Sequence, residues 1–212
     1  MRLLPSLASA DPLRLADEIK SLGDWEDLHF DIEDGNFTPN LTFGQKTLRA
    51  TAMAFPEKRL DVHLMTSQPL NWLEMAAESR AYSVCAHLEA LRFPLLFLEQ
   101  ARKLGLKAGL ALNLGTPVQF AEPFLDRMDY LLIMTAEPDG QGEKLNVRAL
   151  EKAKEAAGRL SLPVFVDGGL TKEAVNVLRQ AGAAGCVLGR QVFQSDDPLK
   201  ALQSLSEPTE SK

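Results

Sequence analysis

Short apolar runs alternate with amphipathic stretches along the whole chain. The apolar runs read as β-strands at residues 3–7, 28–32, 59–65, 82–88, 106–112, 130–135, 162–166 and 185–188. Between them, apolar residues recur at helical spacing over 12–22, 45–55, 69–77, 94–104, 118–125, 147–160, 171–181 and 198–205. Leu13, Ala16, Ile19 and Leu22 illustrate the pattern in the first of these. Cap-then-proline pairs, Asp11-Pro12 and Thr116-Pro117, mark two helix starts, and Gly105 marks one helix end. Strand starts recur roughly every 20–30 residues, the spacing of a βαβ series. About eight such units in one chain of this size predict an α/β fold, a (β/α)8 TIM barrel. The alternative is a doubly wound open sheet, but no GxGxxG follows the first strand.

The chain has 212 residues, 45% hydrophobic and 25% charged, which is an ordinary globular balance and enough to bury a full core. No low-complexity linker divides it, so one domain is expected over 1–205, followed by a polar tail at 206–212. A net charge of -6 argues against nucleic-acid and anionic-membrane partners. No apolar stretch approaches the roughly 20 residues of a membrane span. Residues 1–7 are too short an apolar run for a signal peptide, so a cytoplasmic location is expected. Cys85 and Cys186 sit among small and apolar neighbours without CxxC spacing, and read as buried reduced thiols.

Candidate chemistry gathers at strand ends. His29 and Asp31 are two apart on one strand, so they share a face. His63 ends the next strand, and Asp167 ends the run Val164-Phe165-Val166. In a barrel, functional side chains collect at the C-terminal ends of the strands. Ser6, His29, Asp31, His63, Met65, His87, Met134 and Asp167 can therefore converge on one mouth. Two imidazoles and two carboxylates form a divalent-metal donor set suited to Zn, Fe, Mn or Co. A metal flanked by two carboxylates can move a proton at a carbon next to a carbonyl. Other residues read more plainly. His87 is expected behind the ligands, paired with Glu89. Asp34 is expected in a turn, Asp11 as a helix cap, and Asp61 as a structural partner of an amide or cation. Met53 and Met75 read as helix core, and residues 151–155 as a solvated helix face.

The chain resembles the ribulose-phosphate 3-epimerase family. The matching pieces are Pro5-Ser6-Leu7 with Ser9-Ala10-Asp11, and the run from His29-Phe30-Asp31 to Thr38-Pro39-Asn40. Further on come Leu60-Asp61-Val62-His63-Leu64-Met65, His87-Leu88-Glu89, Leu112-Asn113 with Thr116-Pro117, Met134-Thr135, Val166-Asp167-Gly168-Gly169 and the Gly189 turn. They run in the family's order over nearly the whole chain. The resemblance implies a ribulose-phosphate-binding barrel and a metal-dependent epimerase acting at C3 of a ketose phosphate. The default pair is D-ribulose 5-phosphate and D-xylulose 5-phosphate. His29, Asp31, His63 and Asp167 fall on the metal ligands, and Asp31 and Asp167 also on the two proton-transfer residues flanking a cis-enediolate. Ser6, Met65, Met134, Gly142, Gly168, Gly169 and Gly189 are implied in substrate binding. The partners implied are one divalent ion, a small phosphorylated ketose and further copies of the chain in a homo-oligomer. Apolar residues around 37–43 are candidates for its interface.

Three departures from the family pattern concern specificity. After Met134 the loop reads Thr135-Ala136-Glu137-Pro138-Asp139-Gly140-Gln141-Gly142-Glu143, placing two acidic residues where a phosphate approaches. Arg190, at the start of the last helix, stands where the family has Ser and is a candidate phosphate contact. Glu33 stands where the family has Met, beside the metal residues. These differences keep two alternatives open: an epimerase of another ketose phosphate such as a 6-phosphohexulose, and a non-catalytic sugar-phosphate-binding paralogue. No lysine stands at a strand end for Schiff-base chemistry.

Overall fold

Strand β2, Asp27–Glu33, is buried at every position, yet every second residue is polar. Strand geometry explains both facts. Leu28, Phe30 and Ile32 pack outward into the main apolar core beneath the helices. Asp27, His29, Asp31 and Glu33 take the opposite face, toward the lumen of a barrel. Burying Phe30 completely contributes roughly 2–3 kcal/mol.

The barrel is seen in a computed structural model that describes residues 1–138 and 144–207. Its strands are β1 (Arg2–Pro5), β2, β3 (Arg59–Met65), β4 (Ser83–His87), β5 (Lys107–Leu112), β6 (Tyr130–Met134), β7 (Val164–Asp167) and β8 (Gly185–Leu188). All pair in parallel, in the order β1-β8-β7-β6-β5-β4-β3-β2. A single parallel bridge between Ser6 and His29 joins β1 to β2 and closes the ring. The helices are α1 (Leu15–Ser21), α2 (Gln45–Ala54), α3 (Leu73–Glu78), α4 (Pro94–Lys103), α5 (Val147–Arg159), α6 (Lys172–Gln180), α7 (Arg190–Phe193) and α8 (Pro198–Ser206). The expected barrel class is therefore the observed one.

The lower lumen is filled by Leu4, Cys85, Ala111, Tyr130, Leu132, Phe165 and Val187. Tyr130 and Phe165 meet edge to face with centroids 5.5 Å apart. A Cβ on Gly109 would stand 2.6 Å from the Tyr130 ring, so only glycine leaves room there. At the N-terminal mouth Asp27 accepts hydrogen bonds from both Arg2 and Arg59. Both cysteines are free and buried, as expected.

Several local expectations are corrected. Asp11 does not cap α1: its carboxylate accepts from the Leu13 amide in a preceding turn, and the helix begins at Leu15. The first strand stops at Pro5, and Leu7–Ser9 is a 3-10 turn. The helix expected over 118–125 is two 3-10 turns, Val118–Phe120 and Glu122–Arg127, with Pro123 at the start of the second. Arg190 starts the short helix α7, not the last helix. Met53 is 83% exposed, whereas Met75 is core. In the 37–43 segment Leu41 is exposed, but Phe43 packs on the core. Lys152 is half-buried rather than solvated: its ammonium donates to the carbonyls of Asn113, Leu114 and Thr116. Of the expected 206–212 tail, residues 208–212 lie outside the described residues.

Candidate active site and metal centre

The C-terminal ends of β2, β3 and β7 bring His29, Asp31, His63 and Asp167 together. Each offers one donor atom, and these atoms all lie within 4.8 Å of one another. His29 Nε2 is 3.1 Å from Asp31 Oδ1 and 3.9 Å from Asp167 Oδ2. His63 Nδ1 is 3.2 Å and 3.7 Å from the same two atoms. Both imidazoles are wholly buried. Two nitrogens and two carboxylate oxygens facing one small volume fit a divalent cation.

Each candidate ligand is held from behind. His29 Nδ1 lies 2.7 Å from Asp61 Oδ2, so Asp61 fixes the ring and leaves Nε2 facing the site. Asp61 in turn accepts from Ser83 Oγ and from the Tyr130 hydroxyl at 3.1 Å. Ser6 Oγ donates to Asp31 Oδ2 at 2.5 Å. His63 Nε2 faces His87 Nε2 at 2.9 Å, and His87 Nδ1 is 3.6 Å from Glu89. Glu89 accepts from the Asn113 amide and the Thr116 hydroxyl, which ties this row to the loop after β5. The carbonyls of Asp167 and Gly168 both accept from Thr135 Oγ1.

The electrostatics divide the carboxylates. Burial opposes ionisation of Asp31, but the charge and hydrogen bonds of His29 and His63 outweigh it and hold Asp31 well below its usual range. Burial and then the charge of Asp31 push Asp167 up to about 7. The two neighbouring carboxylates are thus pushed in opposite directions, Asp31 down and Asp167 up, the kind of separation that acid and base roles require. Burial opposes a charge on His29, yet Asp31 and Asp61 raise it well above the usual histidine value. Burial lowers His63, and takes His87 down to about 4. Both stay neutral, so one of the facing Nε2 atoms donates and the other accepts. Burial and Asp31 raise Glu33 to about 7.

Above this cluster opens a cavity of about 1200 Å3. Ser6, Met65, Met134, Gly168, Gly169, Gly189 and Arg190 all line it. Gly142, the remaining expected contact, lies outside the described residues, as does the rest of 139–143. Gly168 and Gly169 have φ of 116° and 63°, a turn open to glycine. Asp34 is a turn residue: its carboxylate accepts from the amides of Asn36, Phe37 and Ser67.

Three features were not foreseen. The partner of Asp61 is the ring of His29, a group not singled out for it beforehand. The signal was its position two residues before His63, in register with His29. Lys144 and Asn40 also line the cavity; Asn40 ends the family-like run from His29 without having been assigned a role, and nothing in the local sequence marks Lys144.

A barrel with a buried His/Asp donor set at the C-terminal mouth defines a candidate metal-dependent enzyme of the TIM-barrel class. Comparison with known proteins narrows this. The model of the ribulose-phosphate 3 epimerase family matches residues 2–193. A ribulose-phosphate 3-epimerase of Mycobacterium bovis is 36% identical over 96% of this chain and 90% of its own. That of Bacillus subtilis is 34% identical over 97% and 98%. Among solved structures, KGPDC from Streptococcus mutans in complex with D-R5P superposes with a TM-score of 0.72 at 17% identity, covering 96% of this chain and 94% of that one. That likeness shows the fold alone. The chain belongs to the ribulose-phosphate 3-epimerase family.

Proposed function

We propose that the protein interconverts D-ribulose 5-phosphate and D-xylulose 5-phosphate by inverting C3. The observation that carries this is the convergence of His29, Asp31, His63 and Asp167 on one small volume at the barrel mouth, with their donor atoms within 4.8 Å of one another. The C3 hydrogen is acidic only because a carbonyl stands next to it. A divalent cation held by His29, Asp31, His63 and Asp167 would polarise that carbonyl and offset the charge that develops on it.

The residues divide the remaining work. Asp31 removes the C3 proton from one face of the sugar. Asp167 gives a proton to the other face of the planar cis-enediolate, and the centre inverts. The two carboxylates come from β2 and β7, with β1 and β8 between them, which supports approach from two sides. Ser6 holds Asp31 in place. Met65 and Met134 wall the intermediate from water, which would otherwise protonate it at random. Gly168, Gly169 and Gly189 let backbone approach the phosphate, and Arg190 contacts it. Gly142 belongs to the same proposal, as do the choice of cation among Zn, Fe, Mn and Co, a catalytic domain over 1–205, a homo-oligomer and a cytoplasmic location. Among the described residues no helix is long and apolar enough to cross a membrane.

The deciding experiment measures bound metal, then assays the ribulose-to-xylulose conversion with and without divalent ions. Metal-dependent turnover is the expected result. Bound metal without turnover would overturn it in favour of another ketose phosphate or a non-catalytic binder. Glu33 and Arg190 in the cavity favour the former of those two, a different ketose phosphate.

A further inference from the structure

Taking the cavity as the ketose-phosphate site proposed above, we infer that Glu33 is a specificity-determining residue. Its carboxylate takes a hydrogen bond from the substrate hydroxyl at the end of the chain remote from the phosphate, which in a ketopentose 5-phosphate is the C1 hydroxyl.

Glu33 is the last residue of β2, two beyond Asp31, so its side chain follows Asp31 on the lumen face. It lines the cavity together with Ser6, Asn40 and Met65. The residue is only 8% exposed; Asn40 hydrogen-bonds its carboxyl group, while Oε2 is buried without a hydrogen-bond partner. Among the described residues no lysine or arginine forms an ion pair with it. A carboxylate oxygen withdrawn from water and left without a donor is costly to the fold. The Met65 thioether beside it offers no donor. The open side of that oxygen faces the cavity, where a donor on an entering molecule can reach it.

The direction of the bound sugar follows from the strand order. Gly168, Gly169 and Gly189 follow β7 and β8, whereas Glu33 stands on β2, across β1. A short chain with its anionic end at the glycines and its reacting carbons over the Asp31–Asp167 pair lays its far end toward Glu33. That end of a ketose carries a hydroxyl. A site built to hydrogen-bond a hydroxyl discriminates strongly against the analogue lacking it, because the buried group is then left unpaired.

The test compares D-xylulose 5-phosphate with its 1-deoxy analogue on the zinc-loaded wild type, Glu33→Gln and Glu33→Met, the last being the residue the family motif carries here. Both turnover and calorimetric affinity are read. Wild type is expected to favour the parent sugar by at least ~10-fold in kcat/KM and in affinity. Glu33→Met is expected to bring both ratios close to unity, and Glu33→Gln to lie between. Thermal unfolding supplies an independent readout: removing a buried carboxylate with one unpaired oxygen should leave the Tm of Glu33→Met equal to or above that of wild type. Equal parent-to-deoxy ratios in wild type and Glu33→Met overturn the inference, as does a large drop in the Tm of Glu33→Met. A wild type that neither binds nor turns over the parent sugar is a different failure. It overturns the ketose-phosphate site itself, and the role of Glu33 with it.

Discussion

His29 and Asp61 are register partners on neighbouring strands, and their side chains meet at 2.7 Å inside the barrel. Asp61 is buried and takes two further hydrogen bonds, from Ser83 and Tyr130. Its orientation is therefore set by the packed lumen, and the orientation of His29 is set by Asp61. The geometry of the candidate metal centre is inherited from the layer of the core beneath it.

Asp61→Asn should weaken metal affinity by about 10–100-fold, the usual effect of losing a carboxylate behind a ligating histidine. Competition against a chelator of known affinity measures this. Unaltered affinity would show that His29 is oriented by packing alone.

Asp31→Asn and Asp167→Asn should each reduce epimerisation by roughly 10²–10⁴-fold, since each removes one proton-transfer group. Deuterium incorporation at C3 in heavy water, followed alongside metal content, separates lost proton transfer from lost cation. Near-normal epimerisation in either variant with metal retained would exclude that aspartate from the chemistry, whereas exchange without inversion is what loss of one of two bases predicts.

Gly168→Ala places a Cβ 2.5 Å from the Ala136 amide nitrogen at a φ of 116°. Backbone must shift on both sides of Asp167. The expected loss is about 1–3 kcal/mol in urea unfolding, with a fall in kcat. An unchanged midpoint would mean the turn accommodates a side chain after all.

Arg190→Ala should raise KM more than it lowers kcat, because a phosphate contact made equally in ground and transition states contributes uniform binding. Steady-state kinetics on the 5-phosphate decides it. No change in either constant would place Arg190 outside the phosphate site.

Glu89 provides a stability test in acid. Burial would raise its pKa, but the neighbouring His87 ring and hydrogen bonds from Thr116 and Asn113 hold it at about 2, below its usual 4.5. A depressed carboxylate stabilises the fold above pH 4.5, and that contribution is lost as pH falls toward 2. Glu89→Gln should flatten the acid limb of a stability curve over this window. An acid limb identical to that of wild type would count against the coupling of Glu89 to the fold.

Most of the strand pattern is legible in the chain, because strands of a parallel barrel are buried on both faces and appear as apolar runs. The four donors are legible for a related reason. A polar residue breaking such a run at its C-terminal end, like His63 or Asp167, has few structural excuses. What the local sequence does not carry is pairing across strands. Asp61 has no neighbour in sequence that announces His29. Helix starts fail where a turn imitates a cap, as at Asp11-Pro12, and the region after β5 folds as 3-10 turns around Pro123 despite helical spacing. The burial of Glu33 follows from its place on β2, but its unpaired oxygen is visible only once the cavity has walls.

The ring of strands is joined unevenly. β2 and β3 are paired over seven positions and β1 and β8 over four, whereas β1 meets β2 through the lone bridge of Ser6 and His29. Those same two residues anchor Asp31, one by its hydroxyl and one by its imidazole. The barrel is in effect a sheet with a clasp, and the clasp is made of site residues. Ser6, His29 and Asp31 thus serve the site and the closure of the barrel at once, so a substitution at any of them acts on both.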